Sequence, residues 1–196
     1  MSVVTLVSGG LDSSVMATLA HEAGLTQFPL FVDYGQLGRD RELRSCQANL
    51  RRLGLPEAAI ASLPGYAALL PSGLSDRTLD IVRDAFLPCR NALFLIVAGA
   101  YAHRVGASAV NIGLLDEASS IFPDQTRSFL RDMEALLCRA LGKELRVIAP
   151  LMSFSKADVA AIAREKGVAG TYSCHAGGPE PCGQCISCRE LQGVEV

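Results

Sequence analysis

Short apolar runs alternate along the chain with longer stretches in which apolar residues recur every three to four positions. Residues 3–7 form a β-branched run that ends at the pair Gly9-Gly10, the pattern of a strand buried on both faces. Residues 13–23 carry helical spacing and stop at Gly24. A second apolar strand covers 28–32 and leads into the loop Asp33-Tyr34-Gly35-Gln36. A charged amphipathic helix follows over 39–53, closed by Gly54, and 60–63 suits a short third strand. From 64 to 88 the breakers Pro64, Gly65, Pro71, Ser72 and Gly73 predict a connection. An apolar helix over 91–105 ends at Gly106, a fourth strand covers 109–114, and 119–123 reads as loop. A helix over 125–141 ends at Gly142, a fifth strand covers 145–149, and a last helix spans 155–166. Its N-cap is Ser155, and Asp158 three residues on makes an aspartate form of the capping box.

Strands alternating with helices predict an α/β fold, a doubly wound parallel sheet of about five strands with ligands at their carboxyl ends. The chain divides into one domain over 1–170 and a cysteine-rich tail over 171–196 packed on it.

Composition narrows the function classes. With 49% hydrophobic and 19% charged residues in 196, the chain is neither disordered nor a nucleic-acid tail. A net charge of -2 offers no global attraction to nucleic acid or an anionic membrane, so an anionic substrate must be captured locally. No run approaches the ~20 apolar residues of a membrane span. The longest, 92–102, reads as a buried helix. The first residues lack the layout of a signal peptide, so a cytoplasmic protein is expected. Its seven cysteines are then thiols or metal ligands rather than disulfides.

Two constellations carry chemistry. Ser8-Gly9-Gly10-Leu11-Asp12-Ser13-Ser14 sits between a strand and a helix, where glycines let backbone N–H groups approach an anion and the helix N-terminus adds a favourable dipole. The serines add hydroxyl donors, and Asp12 can position a metal ion or the loop itself. The absence of Gly-Lys-Ser/Thr excludes the kinase-type loop. In the tail, Cys174, Cys182, Cys185 and Cys188 supply four thiols with glycines between them, a set suited to structural tetrahedral Zn2+. An iron–sulfur cluster is the rival. His175, beside a ligand, lines the pocket or points to solvent.

Ser-Gly-Gly-Leu-Asp-Ser resembles the motif of the N-type ATP pyrophosphatases, adenine nucleotide alpha hydrolase-like enzymes that cleave ATP between the α and β phosphates. The resemblance implies that Ser8, Gly9, Gly10, Leu11, Asp12, Ser13 and Ser14 hold the departing pyrophosphate with Mg2+. It also implies that Lys156 lies near the phosphates; on spacing alone it is equally a solvated helix-start lysine. Taken with the cysteine tail, the chain resembles the 7-cyano-7-deazaguanine synthase family over almost its whole length. Asp33-Tyr34-Gly35-Gln36 resembles the family's second-strand motif, and Pro88-Cys89-Arg90-Asn91 its Pro-Gly-Arg-Asn. Gly113, Pro123-Asp124 and Phe129 keep its spacing, and Thr171-Tyr172-Ser173-Cys174 resembles its Thr-Trp-Ser-Cys. The departures lie in loops: the family's Tyr-Pro-Asp-Cys-Arg reads Phe122-Pro123-Asp124-Gln125-Thr126, its upstream aspartate falls on Ala118 with Asp116 and Glu117 close by, and its Arg-His becomes Leu37-Gly38. Kept ATP machinery with altered substrate loops suggests a paralogue.

The resemblance implies adenylation of a deazapurine carboxylate by ATP, displacement of AMP by ammonia, and formation of a nitrile in queuosine precursor synthesis. Asp12, Ser13, Lys156 and Arg90 are the catalytic candidates, and Gly113 joins the ATP site. Tyr34, Gln36, Arg90, Asn91, Phe122 and Asp124 are the candidate substrate residues. Arg90 is equally a helix-capping ion-pair residue, and Asp124 equally an N-cap for the helix from Gln125. One alternative keeps the activation and couples the acyl group to another amine, such as a protein in antiviral defence. Another class of reading is a non-catalytic zinc-containing binding module. A homodimer follows from the resemblance alone.

Overall fold

Residues 1–193 are described in a computed structural model, built on a five-stranded parallel sheet. The strands are β1 (Ser2–Leu6), β2 (Thr26–Asp33), β3 (Ala59–Ser62), β4 (Ala109–Asn111) and β5 (Arg146–Ile148), in the order β3-β2-β1-β4-β5. β1 lies at the centre, with Val3 opposite Gln27 on one side and Ala109 on the other. The direction of winding reverses at β1, which opens a crevice at the carboxyl ends of β1, β2 and β4. The predicted fold class therefore holds.

Side-chain alternation along β1 sorts the two faces. Val4 and Leu6 join Leu30, Val32, Val110 and Ile112 under α4 (Arg90–Val105) and α5 (Arg127–Leu141). Val7 and Phe31 face Cys46 and Leu50 of α2 (Arg39–Arg52) and Ala17 of α1 (Leu11–Glu22). Leu11, Val15 and Met16 of α1 pack against Val159, Ala160 and Ala163 of α6 (Lys156–Glu165). Each fully buried Val or Leu contributes about 1.5–3 kcal/mol, so two apolar layers are ample to hold the sheet.

Several bounds move for identifiable reasons. α1 starts at Leu11 because Gly10, in extended conformation, is its N-cap. Residues 64–88 contain a helix, α3 (Pro64–Leu69), in the predicted connection. Pro64 occupies its first turn, where a missing N–H costs nothing, so the breaker is a starter here. α5 begins at Arg127, with Thr126 Oγ1 accepting from Phe129 N at 3.2 Å, and Asp124 is not its cap. The capping box of α6 forms as expected: Ser155 Oγ accepts from Asp158 N, and Asp158 Oδ2 accepts from Ser155 N at 2.9 Å. A short α7 (Ile186–Glu190) carries Cys188 in the tail, whose residues 194–196 lie outside the described residues.

The tail is stitched to the loop that follows the central strand. Tyr172 N donates to Gly9 O at 2.9 Å, Leu11 N to Ser173 Oγ at 3.4 Å, and Ser45 Oγ lies 2.8 Å from both Gly9 O and Gly170 O. Two glycines permit this closeness. Gly9 (φ 79°) rests on α2, where a Cβ would meet Glu42 O at 2.2 Å. Gly177 (φ 70°) rests on the turn before α2, where a Cβ would meet Leu37 O at 2.3 Å.

Candidate active site

The crevice at the carboxyl ends of β1, β2 and β4 holds a cavity of about 300 Å3. Ser8, Gly10, Leu11, Asp12 and Ser13 form its floor, and Gly113 approaches Asp12 and Ser13 from the end of β4. Ser13 Oγ accepts from Ser8 N at 3.1 Å and lies 3.2 Å from Gly10 O, which closes the loop on itself. Gly9 and Ser14, expected in the same binding set, do not line the cavity. Gly9 packs on α2, and Ser14 Oγ accepts from Asn49 Nδ2 at 3.2 Å on the buried side.

Lys156, at the first position of α6, reaches this floor. Its Nζ lies 2.9 Å from each carboxylate oxygen of Asp12 and 3.3 Å from Glu190 Oε2 of α7. With its side chain 12% exposed, it is not the solvated lysine that spacing alone allowed. Sequence reasoning missed Glu190, which looked like one more charge after the last cysteine. Its position two residues past Cys188 was the available signal.

The opposite wall is built from β2, α2 and α4. Arg90 places its guanidinium 5.9 Å from the ring centres of both Tyr34 and Phe94, within cation–π range. Burial raises the Tyr34 hydroxyl pKa, and the nearby Arg90 charge opposes that rise. Gln36 is spent on its own turn: its Oε1 accepts from Tyr34 N, and its Nε2 donates to Val32 O and to Glu42 Oε2 at 2.9 Å. Asn91 lines the cavity but is locked to Asp124, whose Oδ2 accepts from Asn91 N at 3.2 Å and whose carbonyl accepts from Asn91 Nδ2 at 3.0 Å. Asp124 itself stays out of the cavity lining. Phe122 lines it, with its ring 5.1 Å from that of Phe86, and Gln125 Oε1 holds the N–H groups of Ile121 and Phe122.

The tail supplies the roof: Tyr172, Ser173, His175, Ile186, Ser187 and Glu190 all face the cavity. His175 Nδ1 is buried without a hydrogen-bond partner among the described residues, and burial, assisted by Arg90 and Lys156, lowers its pKa to about 4. Behind this roof the thiols of Cys174, Cys182, Cys185 and Cys188 lie within 4.8 Å of one another. A tetrahedral ion with sulfur bonds of about 2.3 Å sets its sulfurs about 3.8 Å apart, so a single ion fits. Backbone N–H groups of Cys182, Cys185 and Cys188 point at Cys174, Cys182 and Cys185 Sγ from 3.3 to 3.4 Å, the arrangement that stabilises thiolate ligands. Four thiolates this close repel, so a cation among them is needed for all to ionise.

Among known proteins, the family model described as Queuosine biosynthesis protein QueC matches residues 2–193. A 7-cyano-7-deazaguanine synthase of Sulfurovum sp. (strain NBC37-1) is 32% identical, the match covering 98% of this chain and 93% of that one. One from Campylobacter curvus (strain 525.92) is 34% identical over 98% and 92%. Of solved structures, NMN synthetase from Francisella tularensis superposes with TM-score 0.57 at 19% identity, covering 100% of this chain and 78% of that one. The U34-tRNA thiolase NcsA from Methanococcus maripaludis gives 0.58 at 19%, and the chain spans 65% of it. At such identities these two structures establish the fold alone.

Proposed function

The chain belongs to the QueC family of queuosine biosynthesis proteins, and on that premise we propose that it makes 7-cyano-7-deazaguanine from 7-carboxy-7-deazaguanine, ATP and ammonia. A carboxylate oxygen of the substrate attacks the α-phosphorus of ATP, and pyrophosphate leaves. Ammonia adds to the acyl carbon, AMP departs with the C–O bond electrons, and a proton is lost to give the amide. A second ATP activates the amide oxygen in the same way, and loss of AMP and protons leaves the nitrile. The enzyme is thus an AMP-releasing ligase that forms a C–N bond.

One observation carries this reading: the glycine–serine loop, the Asp12–Lys156 pair and Arg90 face a single cavity. The loop N–H groups and Lys156 suit the pyrophosphate, where preorganised donors stabilise developing charge. Asp12 suits a Mg2+ ion, which would neutralise phosphate charge. With Asp12 holding such an ion, Lys156 would be released from their pairing toward the phosphates. Arg90, over the paired rings of Tyr34 and Phe94, suits an anionic group of either substrate. In the tail, Zn2+ on the four cysteines has a purely structural task, because the thiols leave no open coordination position. Residues 1–170 are the ATP pyrophosphatase unit, and the tail from 171 is the clasp that closes it.

The test is to supply 7-carboxy-7-deazaguanine, ATP and ammonia and follow AMP, pyrophosphate and nitrile together. The expected result is two AMP and two pyrophosphate for each nitrile formed, and loss of all three in Asp12→Ala with the fold kept. The inward-turned Gln125, in place of a family cysteine, favours a second reading in which the activated acid is joined to a different amine. AMP release that stops short of nitrile would select it. No ATP turnover with any acceptor would favour a binding module instead.

A further inference from the structure

Resting on this reading of the substrate, one buried group stands apart from the machinery assigned so far. Glu42, in the first turn of α2, faces the cavity beside Arg90, Tyr34 and His175. Its position is fixed rather than incidental. Gln36 Nε2 donates to Oε2 at 2.9 Å, and Gln36 is itself pinned by Tyr34 N and Val32 O. The backbone of Glu42 is the surface on which Gly9 of the phosphate loop rests. The carboxylate is therefore tied to the same frame that sets the loop.

The other acceptors on this wall are already engaged. Asp124 spends its carboxylate on Asn91 N and its carbonyl on Asn91 Nδ2, while Gln36 Oε1 takes Tyr34 N. Arg90 brings donors only. Glu42 is left with one donor from the described residues and lines the cavity, so it keeps acceptor capacity for a bound group. A carboxylate enclosed in this way binds best to two adjacent N–H groups on one planar edge, which meet its two oxygens together.

We propose that Glu42 is the specificity-determining residue for the heterocycle, accepting from the ring N–H and exocyclic amino group of a 2-amino-4-oxopyrimidine edge. Arg90, over the rings of Tyr34 and Phe94, sits on the same wall to take an anionic group. Asp124, a candidate substrate residue by sequence, is held by Asn91 outside the cavity lining and leaves this task to Glu42.

The experiment measures binding by calorimetry, without turnover, of 7-carboxy-7-deazaguanine and of its analogue lacking the 2-amino group. Wild-type protein, Glu42→Gln and Glu42→Asp are compared, with a non-hydrolysable ATP analogue as control. Wild type is expected to prefer the amino compound by about 10–100-fold, the value of a hydrogen bond to a charged group. In Glu42→Gln that preference falls to within about 3-fold: the amino compound weakens most, the des-amino compound, which keeps the ring N–H, weakens less, and affinity for the ATP analogue holds. Glu42→Asp, with its oxygens drawn back by one methylene, loses part of the preference and serves if Glu42→Gln does not fold. Undiminished preference in the variants, or a loss confined to the ATP analogue, overturns the assignment to Glu42 alone. Failure of wild type to bind either acid overturns the substrate reading, and this inference with it.

Discussion

Arg90 owes its place to a strained neighbour. Cys89 precedes it with φ 58°, in the left-handed region, and is the one non-glycine residue with positive φ among those described. Such a conformation costs about 1–2 kcal/mol for a residue with a Cβ. Cys89→Gly should relieve it, offset in part by the freer unfolded chain. The net gain should be about 0.5–1 kcal/mol, read as a higher urea midpoint at unchanged slope. A second consequence at this scale follows from Glu42, whose pKa is raised by burial, with Gln36 and Arg90 opposing. A raised carboxyl contributes stability below its unfolded value of about 4.5, and that stability is lost as pH rises through the folded value. Glu42→Gln should thus be the more stable protein at pH 7, with the difference vanishing toward pH 4 in thermal melts. Asp12 stood out in the sequence through its loop, whereas Lys156 and Arg90 were singled out only by the family resemblance. The sequence hid Glu42, since a carboxylate in the first turn of a charged helix reads as dipole compensation until the fold shows what that turn faces.

The elements were legible wherever one rule governed them. Helices ending at Gly24, Gly54, Gly106 and Gly142 stop where a left-handed residue is needed, and all four glycines have positive φ. The start of α5 was misplaced because Pro123–Gln125 forms its own 3-10 turn, leaving the cap to Thr126. The helix α3 was missed because Pro64 signals a break and a start equally. The approach of α2 to the phosphate loop is the element-scale feature that no local pattern reveals. It depends on Gly9, where a Cβ would meet Glu42 O at 2.2 Å and Cys46 N at 2.6 Å. Both obstacles are backbone, so neither yields by rotamer change. Gly9→Ala should cost about 3 kcal/mol or more, from overpacking and positive φ together. Denaturant titration measures it, and a loss under 1 kcal/mol would mean that α2 can withdraw from the loop.

For the molecule as a whole, the tail roofs the cavity, so its cysteines bear on the proposed site from behind its lining. Stripping the ion with a chelator should lower Tm by about 4–8 °C, the effect of roughly 2 kcal/mol in a chain of this size. Affinity for the ATP analogue should fall with it, since Ser173 and Glu190 lose their anchorage. Metal analysis should find zinc, and iron with acid-labile sulfide would replace that assignment. No described helix is long and apolar enough to cross a membrane.

The bond from Leu11 N to Ser173 Oγ spans 162 positions of sequence, and it bears on how the enzyme comes into being. The loop of residues 8–14 leaves the ribosome well before the tail that roofs it. A growing chain can assemble β1 and α1 early, but it has no finished nucleotide site until the cysteines emerge and close behind it. Contacts of such long range also slow folding. The closed cavity is therefore a property that the nascent chain acquires only once the tail has followed the loop and met it.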